Sequence, residues 1–128
     1  MLGKMVDLVG RRVRYTHKDD AGAAIGTKIG KAIIGTAYRT FDSSVASDTV
    51  DLIFKTSFFV DIYPGSHARG FPMPYAGDVV ELLNDADQTR VVYVVTTGDN
   101  DIEFRPADAE STAIRVHCKV GGYDLNAR

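Results

Sequence analysis

The stretch that decides the fold is Thr89-Arg90-Val91-Val92-Tyr93-Val94-Val95-Thr96-Thr97. Its centre, Val91–Val95, contains only β-branched and aromatic residues, which fit the pleated surface of a β-strand. A buried helix segment is the alternative, but the run is short and ends at the turn-forming residues Gly98-Asp99-Asn100-Asp101. The pattern therefore predicts a central strand, buried on both faces, around which the other strands of an all-β domain assemble.

Further segments show β-type patterns between turn residues. Thr112–Val120 alternates without fault and predicts an inward apolar face and an outward polar face that includes His117. Val50–Tyr63 alternates on both sides of a break at Lys55-Thr56-Ser57, where we expect a bulge at a barrel corner. The other predicted strands are Arg11–His17, Ala32–Phe41, Val79–Leu83 and Ile102–Phe104.

No long amphipathic helix is expected. Met5–Val9 suits a short helical turn or a docking arm, and Pro106 suits the start of one helical turn. Short strands with short connections predict a single domain over residues 1–128, a small antiparallel β-barrel or sandwich of SH3-like or OB-like size. We expect six to seven strands in it.

Two long irregular segments interrupt this pattern. Lys18–Lys31 carries Gly22, Gly26 and Gly30 and little that could build a core, so we expect a mobile loop. Pro64–Ala76 is rich in proline and contains Phe71, Met73 and Tyr75, which suits a loop that docks on another protein. Residues 121–128 are expected to form a C-terminal tail.

The composition is that of a soluble globular protein, with 45% hydrophobic and 25% charged residues. A net charge of -2 argues against general electrostatic binding of nucleic acid. The single cysteine excludes an internal disulfide and is typical of a reducing cytosol or of something assembled there. No apolar run is long enough for a membrane-spanning helix, and the N-terminus is too broken by charge for a signal peptide.

Catalytic and metal-binding motifs are missing from the sequence. Gly30-Lys31 is followed by Ala32 where a phosphate-binding loop needs Ser or Thr. His117 and Cys118 are adjacent on one strand, so they point to opposite faces and cannot share a metal ion. We expect Cys118 to be an inert core residue and His117 a surface residue, and we expect neither an enzyme nor a metal or other cofactor.

A basic strand remains, with Arg11, Arg12 and Arg14 beside Tyr15. Such a strand would suit contact with a phosphate backbone, as in a nucleic-acid-binding OB-like or SH3-like barrel. The alternatives are an acidic neighbouring subunit and a solvated edge strand whose charges prevent aggregation. We favour the solvated edge strand, because the rest of the chain has an excess of acidic residues and adds no positive field that would attract nucleic acid.

Residues 50–120 resemble the head–tail connector, head-closure (stopper) and head-completion proteins of tailed bacteriophages. The resemblance rests on Ser57-Phe58-Phe59-Val60-Asp61, a proline-containing loop, Gly77-Asp78-Val79-Val80-Glu81-Leu82 and Val91-Val92-Tyr93-Val94-Val95. In that family, a Gly-Asp-x-hydrophobic strand precedes a hydrophobic-x-Tyr-x-Val strand in one compact barrel. The N-terminal half departs from the family pattern and looks more like the opening of an SH3-like barrel.

The resemblance implies a structural protein of the virion, assembled in the host cytoplasm, that acts through surfaces. A ring of copies would lie below the portal, extend or close the DNA channel without sequence-specific binding, and offer a surface to the tail. Its partners would be its own copies and the portal, adaptor and tail proteins, with no membrane partner. A capsid-decorating protein or another tail component is the alternative within the virion. The expected interface residues are Phe71, Met73, Tyr75, Ile25, Ile29, Arg11, Arg12 and Arg14.

Overall fold

The computed structural model describes residues 2–18, 21–35, 49–61, 74–97, 102–110 and 112–123. Of the nine helices and strands in these residues, seven are β-strands, so the predicted all-β class is confirmed. The elements are α1 (Leu2–Val9), β1 (Arg11–Lys18), β2 (Ala24–Gly35), β3 (Thr49–Lys55), a 3-10 helix (Thr56–Asp61), β4 (Val79–Leu83), β5 (Thr89–Val95), β6 (Phe104–Pro106) and β7 (Ala113–Tyr123).

Six strands close into an antiparallel barrel. The order is β3-β2-β1-β4-β5-β7, and β3 pairs with β7 from Thr49↔Lys119 to Lys55↔Ala113. β6 is an additional short strand that pairs with β7. β1 lies between β2 and β4, so the prediction that it is an edge strand is wrong. The charged side chains of β1 therefore do not protect an edge.

The stretch that decides the fold forms β5. Tyr93 and Val95 are buried, whereas Val91, Val92 and Val94 are half-buried. The predicted strand is confirmed, but the prediction that both of its faces are buried is wrong. A barrel strand turns only one face toward the interior, and the other faces outward.

Aromatic rings from two segments fill the barrel. Tyr15 of β1 lies edge-on to Phe54 at 5.8 Å and to Phe59 at 5.2 Å between ring centroids. Phe58 lies 5.0 Å from Phe54 and 5.2 Å from Phe59. Each such pair contributes about 0.5–1.5 kcal/mol beyond burial. Because the chain has no Trp, these four rings and that of Tyr93 supply the largest pieces of the core.

A mobile loop was predicted over Lys18–Lys31. The prediction is wrong from Ala24 onward, because those residues belong to β2 and pair with β1. In this part of β2 the less exposed, inward positions are Gly26, Lys28 and Gly30. None of them carries a large apolar side chain, so the sequence lacks the inward apolar residues of an ordinary strand. A side chain from elsewhere fills the space, since a Cβ atom at Gly30 would overlap the ring of Phe58. Lys28 extends over the same ring, with Nζ 4.9 Å from its centroid.

The segment Val50–Tyr63 is only partly a strand. β3 ends at Lys55, and a 3-10 helix replaces the predicted continuation through Phe58. This turn of helix places Phe58 and Phe59 against Phe54 and Tyr15, which an extended strand with alternating faces would not do.

Other element boundaries also differ from the predictions. Pro106 ends β6 and starts no helical turn, and β6 runs over Phe104–Pro106 where Ile102–Phe104 was predicted. β7 continues to Tyr123, so residues 121–123 of the predicted tail are strand. Residues 124–128 of that tail, 36–41 of the predicted second strand and 64–73 of the proline-rich loop lie outside the described residues.

Helix α1 packs on the outside of the barrel. Val6 is buried there with Ile53 and Ala113 in a small second apolar cluster. Along the part of the chain that the structure describes, no helix is long and apolar enough to cross a membrane.

Candidate interaction surface

The most exposed apolar side chains of the described residues lie on α1. Leu8 is 76% exposed, Val9 56% and Met5 45%. Residues three and four apart lie on the same face of a helix, so these three form one continuous surface, here called the α1 stripe. Large apolar side chains grouped in this way are typical of protein–protein contact surfaces. The sequence indicated a docking arm here but did not identify these residues.

The α1 stripe is held in a fixed orientation by contacts on the opposite side of the helix. The Gly3 amide donates to Oγ1 of Thr112 at 3.2 Å, and Val6 is buried against the barrel. Nζ of Lys31 donates to the carbonyl of Asp7 at 3.0 Å, and Nζ of Lys55 lies 2.9 Å from Oδ2 of Asp7. The helix therefore presents the stripe as a preformed surface.

Ile25 and Ile29, two of the predicted interface residues, lie on the outward face of β2 and are 42% and 40% exposed. Thr27 is exposed between them. In an antiparallel pair with β1, Ile29 stands opposite Arg14 and Thr27 opposite Thr16. Their exposure is what an interface requires, and their use as one stays a prediction.

The predicted interface arginines are engaged differently from one another. Arg12 makes a two-pronged contact with Asp87, with Nε 2.6 Å from Oδ1 and Nη2 3.2 Å from Oδ2. This contact raises the pKa of Arg12 and lowers that of Asp87. Arg11 is exposed and shares an open cleft of about 570 Å³ with Arg12, Arg90, Asp85 and Asp87.

Arg14 also faces a carboxylate. Its Nη1 lies 3.4 Å from Oε2 of Glu81, which additionally accepts a hydrogen bond from Oγ1 of Thr89 at 2.5 Å. Acidic neighbours thus offset the charge of two of the three arginines, which weakens the case for a phosphate-binding strand.

The predicted docking loop is described only at its end. Phe71 and Met73 lie outside the described residues. Tyr75 is half-buried; its amide donates to Oδ2 of Asp78 at 3.1 Å, and its ring lies edge-on to His17 at 6.3 Å. The end of this loop is therefore tied to the barrel wall next to β1.

Asp78 is the centre of a buried polar cluster that the sequence did not reveal. Its Oδ2 accepts from the Tyr15 hydroxyl at 2.6 Å and from the Tyr75 amide, and its Oδ1 accepts from the Lys18 amide at 3.0 Å. Nδ1 of His17 lies 2.8 Å from Oδ1, within hydrogen-bond distance. Gly77, with φ +98°, makes the turn that leads Asp78 inward. The sequence feature that could have indicated this cluster is the pair Gly77-Asp78 directly before a predicted strand.

A second buried cluster joins β3 to β7. Nδ1 of His117 lies 2.9 Å from Oδ1 of Asp51, and Nε of Arg105 donates to Nε2 of His117 at 3.4 Å. Nη1 of Arg115 lies 3.3 Å from the other oxygen of Asp51. His117 is therefore buried, and the prediction that it lies at the surface is wrong. β6 lies beside β7 in the same sheet, and the His117 amide donates to the carbonyl of Glu103.

Cys118 is buried in the main core, as predicted. Burial raises the pKa of its thiol well above the ordinary value, and the nearby carboxylate of Asp51 raises it further. A thiol kept protonated in this way is a poor nucleophile. Within the described ranges, no three His, Cys, Asp or Glu side chains come together as a metal site requires.

No family model, characterised protein or solved structure matches this chain.

Proposed function

We propose that this protein is a structural component of a tailed-bacteriophage virion that joins the head to the tail. A ring of copies below the portal would extend or close the DNA channel and form the surface on which the tail docks. The resemblance of residues 50–120 to connector and head-closure proteins supports this function. The small barrel agrees with it, since such proteins act through surfaces presented by a compact β shell.

The α1 stripe is the observation that carries the proposal. Met5, Leu8 and Val9 point away from the barrel, while the other side of the helix is fixed by Val6 and by the contacts of Asp7. A rigid apolar surface of this kind binds a protein partner with little ordering cost. In the proposed ring it would contact a neighbouring copy or a portal or tail protein.

Other virion components would use the same kind of surface. A decorating protein would bind the outside of the capsid, and its loss would leave particles that still carry tails but have fragile heads. A connector, by contrast, is required between filling the head and attaching the tail. The stage at which assembly stops therefore separates the two functions.

The test is made in the phage that encodes the protein. A stop codon in place of Lys4 is expected to yield DNA-filled heads and separate tails in electron micrographs, and wild-type protein supplied from a plasmid should restore joined particles. Leu8→Lys, supplied in the same way, should fail because it places a charge on the α1 stripe.

The matched control is Ala86→Lys, since Ala86 is exposed in the turn between β4 and β5 and is not part of the α1 stripe. It should restore joined particles as well as wild type does. Normal infectious particles from the stop-codon phage would overturn the proposed function, as would tailed particles with fragile heads. If Leu8→Lys restores joined particles as well as wild type does, the α1 stripe is not the surface that the proposed function uses.

A further inference from the structure

In the part of the chain that the structure describes, one edge of β2 is paired over only part of its length. β2 pairs with β1 from Ala24 to Ala32, but it pairs with β3 only over Ile33–Gly35. Among the strands that the structure describes, none pairs with the other edge of residues 24–31. A strand edge that has no partner presents backbone N–H and C=O groups on which another strand can form.

The residues along this edge are arranged almost symmetrically about Thr27. The strand reads Ala24-Ile25-Gly26-Thr27-Lys28-Ile29-Gly30. Ile25 and Ile29 are equally far from Thr27, and all three are exposed on the outward face. Ala24 and Gly30, both small, are the next symmetric pair.

We propose that this edge pairs with the same edge of a second copy, antiparallel and about a twofold axis at Thr27. Ile25 then lies opposite Ile29 of the partner subunit, and this apolar pair occurs twice. Thr27 lies opposite Thr27 of the partner subunit. Cross-strand apolar pairs and Thr pairs of this kind stabilise a sheet. A symmetric contact of one surface with itself joins two copies, and no third copy, through this edge.

The side chains select this register over its neighbours. An axis at Lys28 would place two Lys28 side chains directly opposite each other, where like charges repel. An axis at Gly26 would oppose Ile25 to Thr27. An axis between Thr27 and Lys28 would place the outward-facing Thr27 opposite the inward-facing Lys28 of the partner subunit. Paired residues of a sheet point to the same face, so this register does not fit. With the axis at Thr27, Lys28 faces Gly26 of the partner subunit, which leaves room for the lysine chain.

The surroundings of the edge leave space for the added strand. An open cleft of about 340 Å³ is lined by residues 28–31 of β2 together with Ser57, Phe58 and Lys55 and with Val6 and Asp7 of α1. In the proposed pair, Ala24 and Ile25 of the partner subunit enter this space. A contact of one short strand is small, so the dimer forms in a concentration-dependent equilibrium. The inference does not rest on the proposed function.

Disulfide trapping in the purified protein tests the register directly. Cysteines opposite each other on paired strands lie about 4.5–5.5 Å apart between Cα atoms, within the range that a disulfide spans. Thr27→Cys is therefore expected to cross-link two copies under mild copper–phenanthroline oxidation. Ile25→Cys is the matched control, because its copies lie four residues apart along the strands, at about 13 Å. Cys118 is buried and does not compete.

The expected result is that Thr27→Cys cross-links at least about tenfold faster than Ile25→Cys, because only the former meets the disulfide geometry. Equal rates, or no cross-link from Thr27→Cys, would overturn the proposal. Native circular dichroism and melting curves of both variants confirm that each is folded before it is oxidised.

Sedimentation equilibrium provides an independent measurement. Wild type and Leu8→Lys should both show a monomer–dimer equilibrium between ~1 µM and ~1 mM, since the contact is small and includes no residue of the α1 stripe. The double variants I25K/I29K and I25E/I29E should each be monomeric alone and should form a one-to-one complex when mixed. A wild-type monomer throughout, dimers that Leu8→Lys abolishes, or no complex on mixing would each contradict the twofold pairing.

Discussion

The hydroxyl of Tyr15 lies 2.6 Å from Oδ2 of Asp78, and both side chains are closed to solvent. Tyr15 belongs to the aromatic core, and Asp78 stands at the start of β4, so this hydrogen bond links the core to the polar cluster beside it. The same carboxylate accepts from the amides of Lys18 and Tyr75. Asp78 thus fixes the end of β1 and the turn before β4 at once.

Removal of the Asp78 carboxylate is expected to destabilise the protein strongly. Asp78→Ala removes this acceptor from the buried Tyr15 hydroxyl and His17 ring and from two part-buried amides. Loss of a buried hydrogen-bond partner costs about 1–3 kcal/mol. We expect a total loss of about 3–5 kcal/mol in the free energy of unfolding, measured by urea denaturation. Tyr15→Phe should cost less, about 1.5–3 kcal/mol, because it removes one hydrogen bond to a charged group.

The double variant distinguishes a cluster from separate contacts. If Tyr15 and Asp78 act together, the combined loss is smaller than the sum of the single losses. A loss below about 1 kcal/mol for Asp78→Ala would contradict the role assigned to this carboxylate.

Gly30 is expected to tolerate no side chain. A Cβ atom there would overlap the ring of Phe58, which is itself held by Phe54 and Phe59. Overpacking of this kind costs about 1–3 kcal/mol, so Gly30→Ala should lower the melting temperature clearly. Gly35→Ala is the control on the same strand, because its Cβ atom would meet neighbours at 3.4 Å or more. It should change stability by less than about 1 kcal/mol, and equal effects of the two variants would count against the packing of Phe58.

Cys118 should be unreactive in the folded protein. Its thiol is buried, and both burial and Asp51 raise its pKa, so little thiolate forms at pH 8. Labelling with a thiol-specific disulfide reagent should be slow in buffer and complete in ~6 M guanidinium, where the ordinary thiol pKa of about 8.5 returns. Rapid labelling of the native protein would show that the core around β7 opens readily.

The contact between Arg12 and Asp87 predicts a local pH effect. Arg12 lowers the pKa of Asp87 in the folded protein. A lowered folded-state pKa contributes stability above the unfolded pKa, and this contribution is lost as the pH falls through the folded value. Because the pair is exposed, the effect should be small and should weaken in ~1 M salt.

Carboxyl titration by NMR measures this effect. The midpoint of Asp87 should lie below that of an ordinary Asp, and Arg12→Gln should move it upward. The same upward shift is expected in wild type at high salt. A midpoint that does not respond to Arg12→Gln would show that another group sets the pKa.

Local patterns in the sequence predicted the strands with a regular alternation. β4 was predicted with its observed bounds, and the predicted Val91–Val95 lies within β5. In these strands the inward residues are apolar in their own right, so a two-residue period is visible without any knowledge of the neighbours. The alternation of Ile114, Val116 and Cys118 in β7 was predicted for the same reason.

Residues 24–31 of β2 were missed because the inward positions there hold Gly26, Lys28 and Gly30, which become suitable only when Phe58 fills the space in front of them. The burial of His117 was missed because its partner, Asp51, is 66 residues away. The pair of His17 and Asp78 spans 61 residues. Such contacts leave no periodic trace in a single sequence.

The sequence by itself determined the all-β class, the seven segments that alternate or pack as strands in whole or in part, and the burial of Cys118. Those properties depend on the side chain and its near neighbours along the chain. Tertiary structure alone decided the closure of β3 on β7, the buried Asp78 and Asp51 clusters and the stretch of β2 over which β1 is its only partner among the described strands. Each of these depends on which distant segment arrives at a given face, and that is set by the packing of the whole barrel.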